Sequence, residues 1–283
     1  MSTTRTESGA RSSAVPPMAP PRPKFRERQL RRVREAVEEI GGMSVLFWDA
    51  CRALVRRPFE FTQLVYQIEQ MGVRSIAIAT VVAAFTGMVM AVQFAFGLER
   101  FGAKDYVGRV LGLSIVRELA PALTAVVVGS RIGAGMAAEL GSMAVTEQLD
   151  AIRALGADPV KKLVVPRVLA CLILMPVLVV FANVLGFAGA MVVSSVQFGT
   201  PMAFFYRSGL DAVEMADLLS GLGKTPFFGV LIAIVGCYHG LVTRGGTEGV
   251  GRSTTRTVVF TSIAVLLADF FLTNVFIMFT PNE

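Results

Sequence analysis

Histidine occurs once in this chain of 283 residues, and cysteine three times. The lone His239 excludes a His-rich metal cluster and reads as a packing or helix-end polar group. Cys51, Cys171 and Cys237 are isolated and odd in number, without paired spacing, so neither a zinc site nor a disulfide framework is expected. Charge is scarce as well: 17% of residues are charged against 53% hydrophobic, and the mean hydropathy is +0.61. That ratio excludes an ordinary soluble domain. An ATP-binding loop is also missing. GLGKT at Gly221–Thr225 has Leu218 where a phosphate loop requires glycine, and a membrane span follows it. There is no catalytic triad, no metal constellation and no internal repeat.

What the chain has is long apolar runs, and the expected class is an all-α integral membrane protein. Residues 1–24, rich in Ser, Thr, Pro and Arg, cannot bury a core and are expected to be a disordered tail. They do not resemble a secretory signal, since no apolar stretch follows the basic residues. Residues 25–73 read as interfacial amphipathic helices: apolar positions such as Val37, Ile40 and Leu46 stand among many arginines, and no window is apolar enough to span. The expected stops are Arg56, Arg57 and Pro58, with a second amphipathic piece at Phe61–Met71. The formal charge of +6 is concentrated before the first span, which suits anionic lipid rather than nucleic acid.

Residues 74–283 read as five transmembrane helices, at about 75–98, 110–143, 168–193, 225–243 and 258–279. The first run, Ser75–Leu98, has twenty-four residues without a charge, enough to cross a bilayer. Pro176 is a candidate kink in the third span, and a turn is expected near Gly199 and Pro201. Arg207–Lys224 reads as an amphipathic outer helix, and Arg244–Arg256 as a polar loop. Lys and Arg number thirteen up to Arg74 and four in 144–167, against three in 99–109 and two in 205–224. The positive-inside rule then places the N-terminus in the cytoplasm and the C-terminus outside.

The most informative stretch is Arg117–Arg167. Gly129, Gly133, Ala137 and Gly141 fall four apart, a small-residue row that lets helix backbones approach closely in lipid. Arg117, Glu118, Arg131 and Glu139 are ionisable groups on the same span, and groups at bilayer depth face partners or cavities. Snorkelling to the membrane surface is the alternative for Arg117 and Glu139. With Gln93 and Asp269 they form the candidate lipid-cavity set; Asp269 has either a buried hydrogen-bonded role or a substrate contact. After the span, Thr146 is the expected cap of a short helix with Glu147, Gln148 and Asp150 in its first turn. Leu149, Ile152 and Leu155 form its apolar edge and Gly156 its stop. Such a helix is either an inert connector or a docking element.

Three runs carry a resemblance: ELGSMAVTEQLDAIRALGADPVKKLVVPR (Glu139–Arg167), TGMVMAVQ (Thr86–Gln93) and GGTEGVGRSTT (Gly245–Thr255). Together they resemble the MlaE/YrbE family, over about Glu35–Thr280. The resemblance implies a homodimeric permease core of a lipid-transporting ABC system in the cell inner membrane. It implies a cytoplasmic ATPase subunit that binds ATP and Mg²⁺ and engages the 146–156 helix. It also implies an MCE-domain protein on the outer face, a small STAS-domain accessory subunit, and a glycerophospholipid cargo. This chain is then not itself an enzyme and needs no cofactor of its own. Two readings from other classes stay open: an ATP-independent secondary transporter using Glu139 and Asp269, and a membrane scaffold.

Overall fold

The computed structural model describes residues 25–54 and 61–279. The expected disordered tail at 1–24 and the expected stops at Arg56, Arg57 and Pro58 lie outside these residues. Among the described residues every regular element is helical: α1 (Phe25–Leu54), α2 (Phe61–Glu99), α3 (Lys104–Val145), α4 (Gln148–Ala154), α5 (Val160–Phe198), α6 (Met202–Leu210), α7 (Met215–Leu241) and α8 (Gly246–Phe279). Of these, α2, α3, α5, α7 and α8 are long and apolar enough to cross a membrane. The fold is thus an all-α, five-span membrane architecture with an N-terminal helix.

Residues up to Gly41 and residues from Gly42 onward form separate units. In the first, Arg34 donates to Glu38 one turn on, at 2.8 Å on an exposed face. Within the second, the end of α1 buries Leu46, Ala50 and Ala53 and turns Val45, Phe47 and Trp48 outward. Two apolar faces at the end of one helix suit a segment held between protein and lipid.

The spanning helices overrun their apolar windows, and three boundaries differ from expectation. Phe61–Met71 is no separate piece: α2 has no proline between Phe61 and Glu99, so the helix runs unbroken through Arg74. The Arg207–Lys224 segment is not one amphipathic helix either. Glu214 and Asp217 form a reciprocal capping box that starts α7 at Met215, placing Lys224 inside a spanning helix. The expected polar loop at 244–256 is mostly helix. Within this stretch positive φ is confined to Gly245 (92°) and Gly246 (65°), and in the helix that starts at Gly246 the hydroxyls of Thr254 and Thr255 fold back onto the Gly251 carbonyl. Helix α5 continues through Pro176 and ends at Gly199, whose φ of 67° supplies the left-handed stop.

Helix α7 is the hub, packed against α3, α5 and α8, while α2 packs along α5. Close approach is required at several crossings, two of which show the geometry. A Cβ on Gly87 of α2 would run into the Gly186 carbonyl of α5, and one on Gly236 of α7 would sit 2.7 Å from the Gly133 carbonyl of α3. In lipid, where apolar burial does not drive helices together, such backbone contact is a main source of cohesion.

Candidate functional site

Among the described residues, two clusters of charged side chains lie within the bundle. The first is built where α3 departs from regular α geometry: residues Ile115–Leu119 form a π-helical turn, a feature that recurs at functional sites. Pro121 follows it and has no N–H to offer the carbonyl of Arg117, four residues back. Lys224 of α7 fills that vacancy, donating from Nζ to the Arg117 carbonyl at 3.3 Å. The same ammonium donates to Glu118 Oε1 at 2.8 Å and to Thr273 Oγ1 of α8 at 2.6 Å, and lies 3.5 Å from Asp269 Oδ1. Three helices therefore meet on one buried lysine. Lys224 is 0% exposed, a position that an isolated ammonium does not tolerate and a doubly paired one does.

Around this core the charge does not cancel. Lys224 faces two carboxylates, and the Glu118 side chain is 40% exposed. Arg117 points away from its sequence neighbour and pairs with Asp217 at 3.5 Å, leaving its side chain 34% exposed. The cluster thus shows a partly open carboxylate and a partly open guanidinium side by side. The guanidinium matches phosphate geometry through paired N–H donors.

The second cluster lies on the other half of α3, nearer α4. Arg131 donates from Nη1 to Ser75 Oγ of α2 at 3.1 Å. Glu139 pairs with Arg167 of α5 at 2.8 Å; Arg167 is buried and also donates to the Leu163 carbonyl at 2.7 Å. A cleft of about 700 Å³ opens beside them, with Arg74, Arg131 and Glu139 on its walls.

The candidate lipid-cavity set therefore divides. Arg117, Glu118 and Asp269 come together; Arg131 and Glu139 belong to the second cluster; Gln93 is exposed on α2 and lines neither. Lys224 was missed. Its only sequence signal was the GLGKT run, which the phosphate-loop test rejects while saying nothing about a lysine ten residues into a spanning helix. The row at Gly129, Gly133, Ala137 and Gly141 lies against α7 and α8: a Cβ on Gly133 would meet Thr257 at 3.2 Å and Thr261 at 3.3 Å, and one on Gly141 would meet Thr243 at 3.1 Å. His239 is buried, with Nδ1 3.1 Å from Thr257 Oγ1 and its ring against Phe260.

Helix α4 corrects one expectation. Thr146 does not cap it; its hydroxyl donates back to the Ser142 carbonyl at 2.8 Å and closes α3. The residue at the α4 N-cap is Glu147, in the left-handed region at φ 60°, a conformation that disfavours a side chain. Gln148 and Asp150 occupy the first turn, and Asp150 pairs with Arg153. At the other end Gly156 (φ 76°) donates to the Arg153 carbonyl and Ala157 to the Ile152 carbonyl, the Schellman pattern. The apolar edge is split: Leu149 is buried, whereas Leu155 is 86% exposed.

Residues 64–275 match the protein family described as permease MlaE. The chain is 45% identical over 206 residues to a probable ABC transporter permease protein of Synechocystis sp., covering 73% of this chain and 78% of that one. It is 35% identical over 246 residues to a probable ABC transporter permease protein of Rickettsia conorii, covering 87% and 95%. It is 37% identical over 210 residues to the chloroplastic protein trigalactosyldiacylglycerol 1 of Arabidopsis thaliana, covering 74% of this chain and 60% of that one.

Proposed function

The chain belongs to the MlaE permease family, and on that premise we propose that it is the membrane-spanning subunit of an ABC transporter that moves lipid, a glycerophospholipid in the first instance, between inner and outer membranes. The observation that carries the lipid reading is the cluster on Lys224. A spanning bundle holds a half-open guanidinium, Arg117, paired with Asp217 of α7, beside a half-open carboxylate, Glu118, tied through Lys224 and Thr273 to α7 and α8. Those groups suit an amphiphile that presents a charged head at membrane depth. The printed name of the Arabidopsis relative, which refers to a glycolipid, points the same way.

The chain works in this proposal as a homodimer in the inner membrane, with its N-terminus in the cytoplasm and its C-terminus outside. ATP and Mg²⁺ bind a separate cytoplasmic ATPase, an MCE-domain protein sits on the outer face, and a STAS-domain subunit accompanies the ATPase. Helix α4 is the docking element, its exposed Leu155 and the Glu147 turn meeting the ATPase. Closure of the ATPase pair then moves α3, and with it Arg117 and Glu118, against Lys224 on α7.

The test is purification of the native complex in mild detergent, followed by identification of co-purifying proteins and lipids and by ATP-driven lipid transfer in proteoliposomes. An ATPase together with ATP-dependent lipid movement is expected. A chain that purifies without any ATPase, or moves lipid equally well without ATP, overturns the proposal.

A further inference from the structure

The cleft between α2 and α3 shares no residue with the Lys224 cluster. We infer that it binds an anionic phosphate group between Arg74 of α2 and Arg131 of α3, at the end of the bundle opposite the Lys224 cluster; the inference rests on the lipid reading above.

Three observations carry it. Among the described residues neither guanidinium has a carboxylate partner: Arg131 donates only to the Ser75 hydroxyl, which itself donates to the Met71 carbonyl at 2.6 Å. The one carboxylate on the cleft wall, Glu139, is matched by the buried Arg167. The cleft is therefore left with the charge of two arginines, a combination that attracts an anion and repels a second cation.

The second observation is donor geometry. Gln67, Gln70 and Tyr66 lie on the same wall, one to two turns before Arg74, and Gln70 Nε2 donates to the Tyr66 hydroxyl at 3.4 Å. Amide and hydroxyl donors beside two guanidiniums make a set suited to several phosphate oxygens at once. The volume of about 700 Å³ falls in the range of ligand pockets.

The third is depth. Ser75 is the first residue of the uncharged run that ends at Leu98, roughly 36 Å of helix, which fills a hydrocarbon core of about 30 Å. Arg131 touches Ser75, and Arg167 immediately precedes the apolar run of α5. The cleft thus lies at the level where phospholipid phosphates sit. Arg131 belongs to this layer and not to the interior, which explains how it remains without an ion pair.

A phosphodiester of a membrane phospholipid and free inorganic phosphate share this chemistry, and the experiment distinguishes them. The full-length chain, in its complex, is reconstituted in nanodiscs of phosphatidylcholine with a minor share of phosphatidylglycerol. Phosphatidylglycerol retained after detergent extraction is counted per protein, with and without millimolar inorganic phosphate. Arg74→Gln and Arg131→Gln are each expected to lower retention about tenfold, the loss of one charge-assisted hydrogen-bonding partner, and Arg131→Lys to keep most of it. Retention that survives free phosphate identifies the lipid as the ligand; displacement by phosphate identifies the free anion.

Retention unchanged in the folded double variant overturns the inference, as does an equal loss in Arg52→Gln, whose guanidinium sits over the Trp48 ring 5.4 Å from its centroid and does not line this cleft. ATP-driven lipid transfer is measured in parallel. A wild-type complex that transfers lipid while the double variant retains it fully refutes the cleft alone, whereas a wild-type complex that neither retains nor transfers lipid refutes the lipid reading itself.

Discussion

Replacing Lys224 by Met tests whether the central cluster is an electrostatic lock. The lysine holds Glu118, Thr273 and the Arg117 carbonyl at 2.8, 2.6 and 3.3 Å, with Asp269 at 3.5 Å. Met keeps most of the volume and removes the charge. Deleting one partner of a fully buried pair costs about 3–5 kcal/mol, because the remaining charge is stranded. Glu118 is 40% exposed and finds water when abandoned, while Asp269, at 17%, does not, which brings the expected cost to about 3 kcal/mol. For a chain of this size that corresponds to a fall in Tm of roughly 6–12 °C, read by thermal unfolding in detergent. The sharper readout is order. Lys224→Met leaves two carboxylates facing each other; adding Asp269→Asn removes one of those charges, so the double variant is expected to melt between the single variant and the wild type. A Lys224→Met protein as stable as the wild type, or a double variant less stable than the single, refutes the charge argument.

Three further outcomes follow from the same geometry. Gly236→Ala places a Cβ 2.7 Å from the Gly133 carbonyl, and overpacking of that kind costs about 1–3 kcal/mol; Gly97→Ala, with nothing within 4 Å, is expected to be neutral or slightly stabilising by the same melting assay. Arg167→Lys is expected to destabilise almost as much as Arg167→Met, because the guanidinium meets its two acceptors from separate nitrogens, Nη2 to Glu139 Oε1 and Nη1 to the Leu163 carbonyl, a reach and spacing that a shorter side chain ending in one nitrogen does not reproduce; a Lys variant equal to wild type in Tm contradicts this. In α4, Asp150→Ala breaks only an exposed pair with Arg153, so stability is expected to change by less than about 0.5 kcal/mol, and Glu147→Gly relieves a left-handed backbone; loss of ATPase stimulation in these stable variants assigns the helix to docking, and unchanged stimulation removes that role.

Hydropathy alone settled the five spans, because an apolar run of about twenty residues has one low-energy solution in lipid, a helix with its backbone bonds satisfied internally. The glycine-ended short helix after the second span was legible for a similar reason: Gly156 is a local conformational requirement, written in one residue. Helix ends were less legible. Nothing in the hydropathy says that α2 starts at Phe61 and not at Ser75, or that residues 246–256 extend α8, since helical hydrogen bonding continues into water wherever no breaker intervenes. Thr146 was misread because a hydroxyl can cap the next helix or fold back on the last one, and only the backbone path chooses.

The pairing of charges belonged wholly to the tertiary structure. Arg117, Glu118, Arg131, Glu139 and Asp269 were visible as ionisable groups in apolar helices, but their partners Asp217, Lys224, Ser75 and Arg167 lie on other helices, up to 107 residues away in the case of Lys224 and the Arg117 carbonyl. Which ridge of α7 turns toward α3 depends on close contacts such as Gly236 on Gly133. Those contacts set helix rotation, and rotation decides which charges meet: one set gathers on Lys224, and the other lines the cleft between α2 and α3.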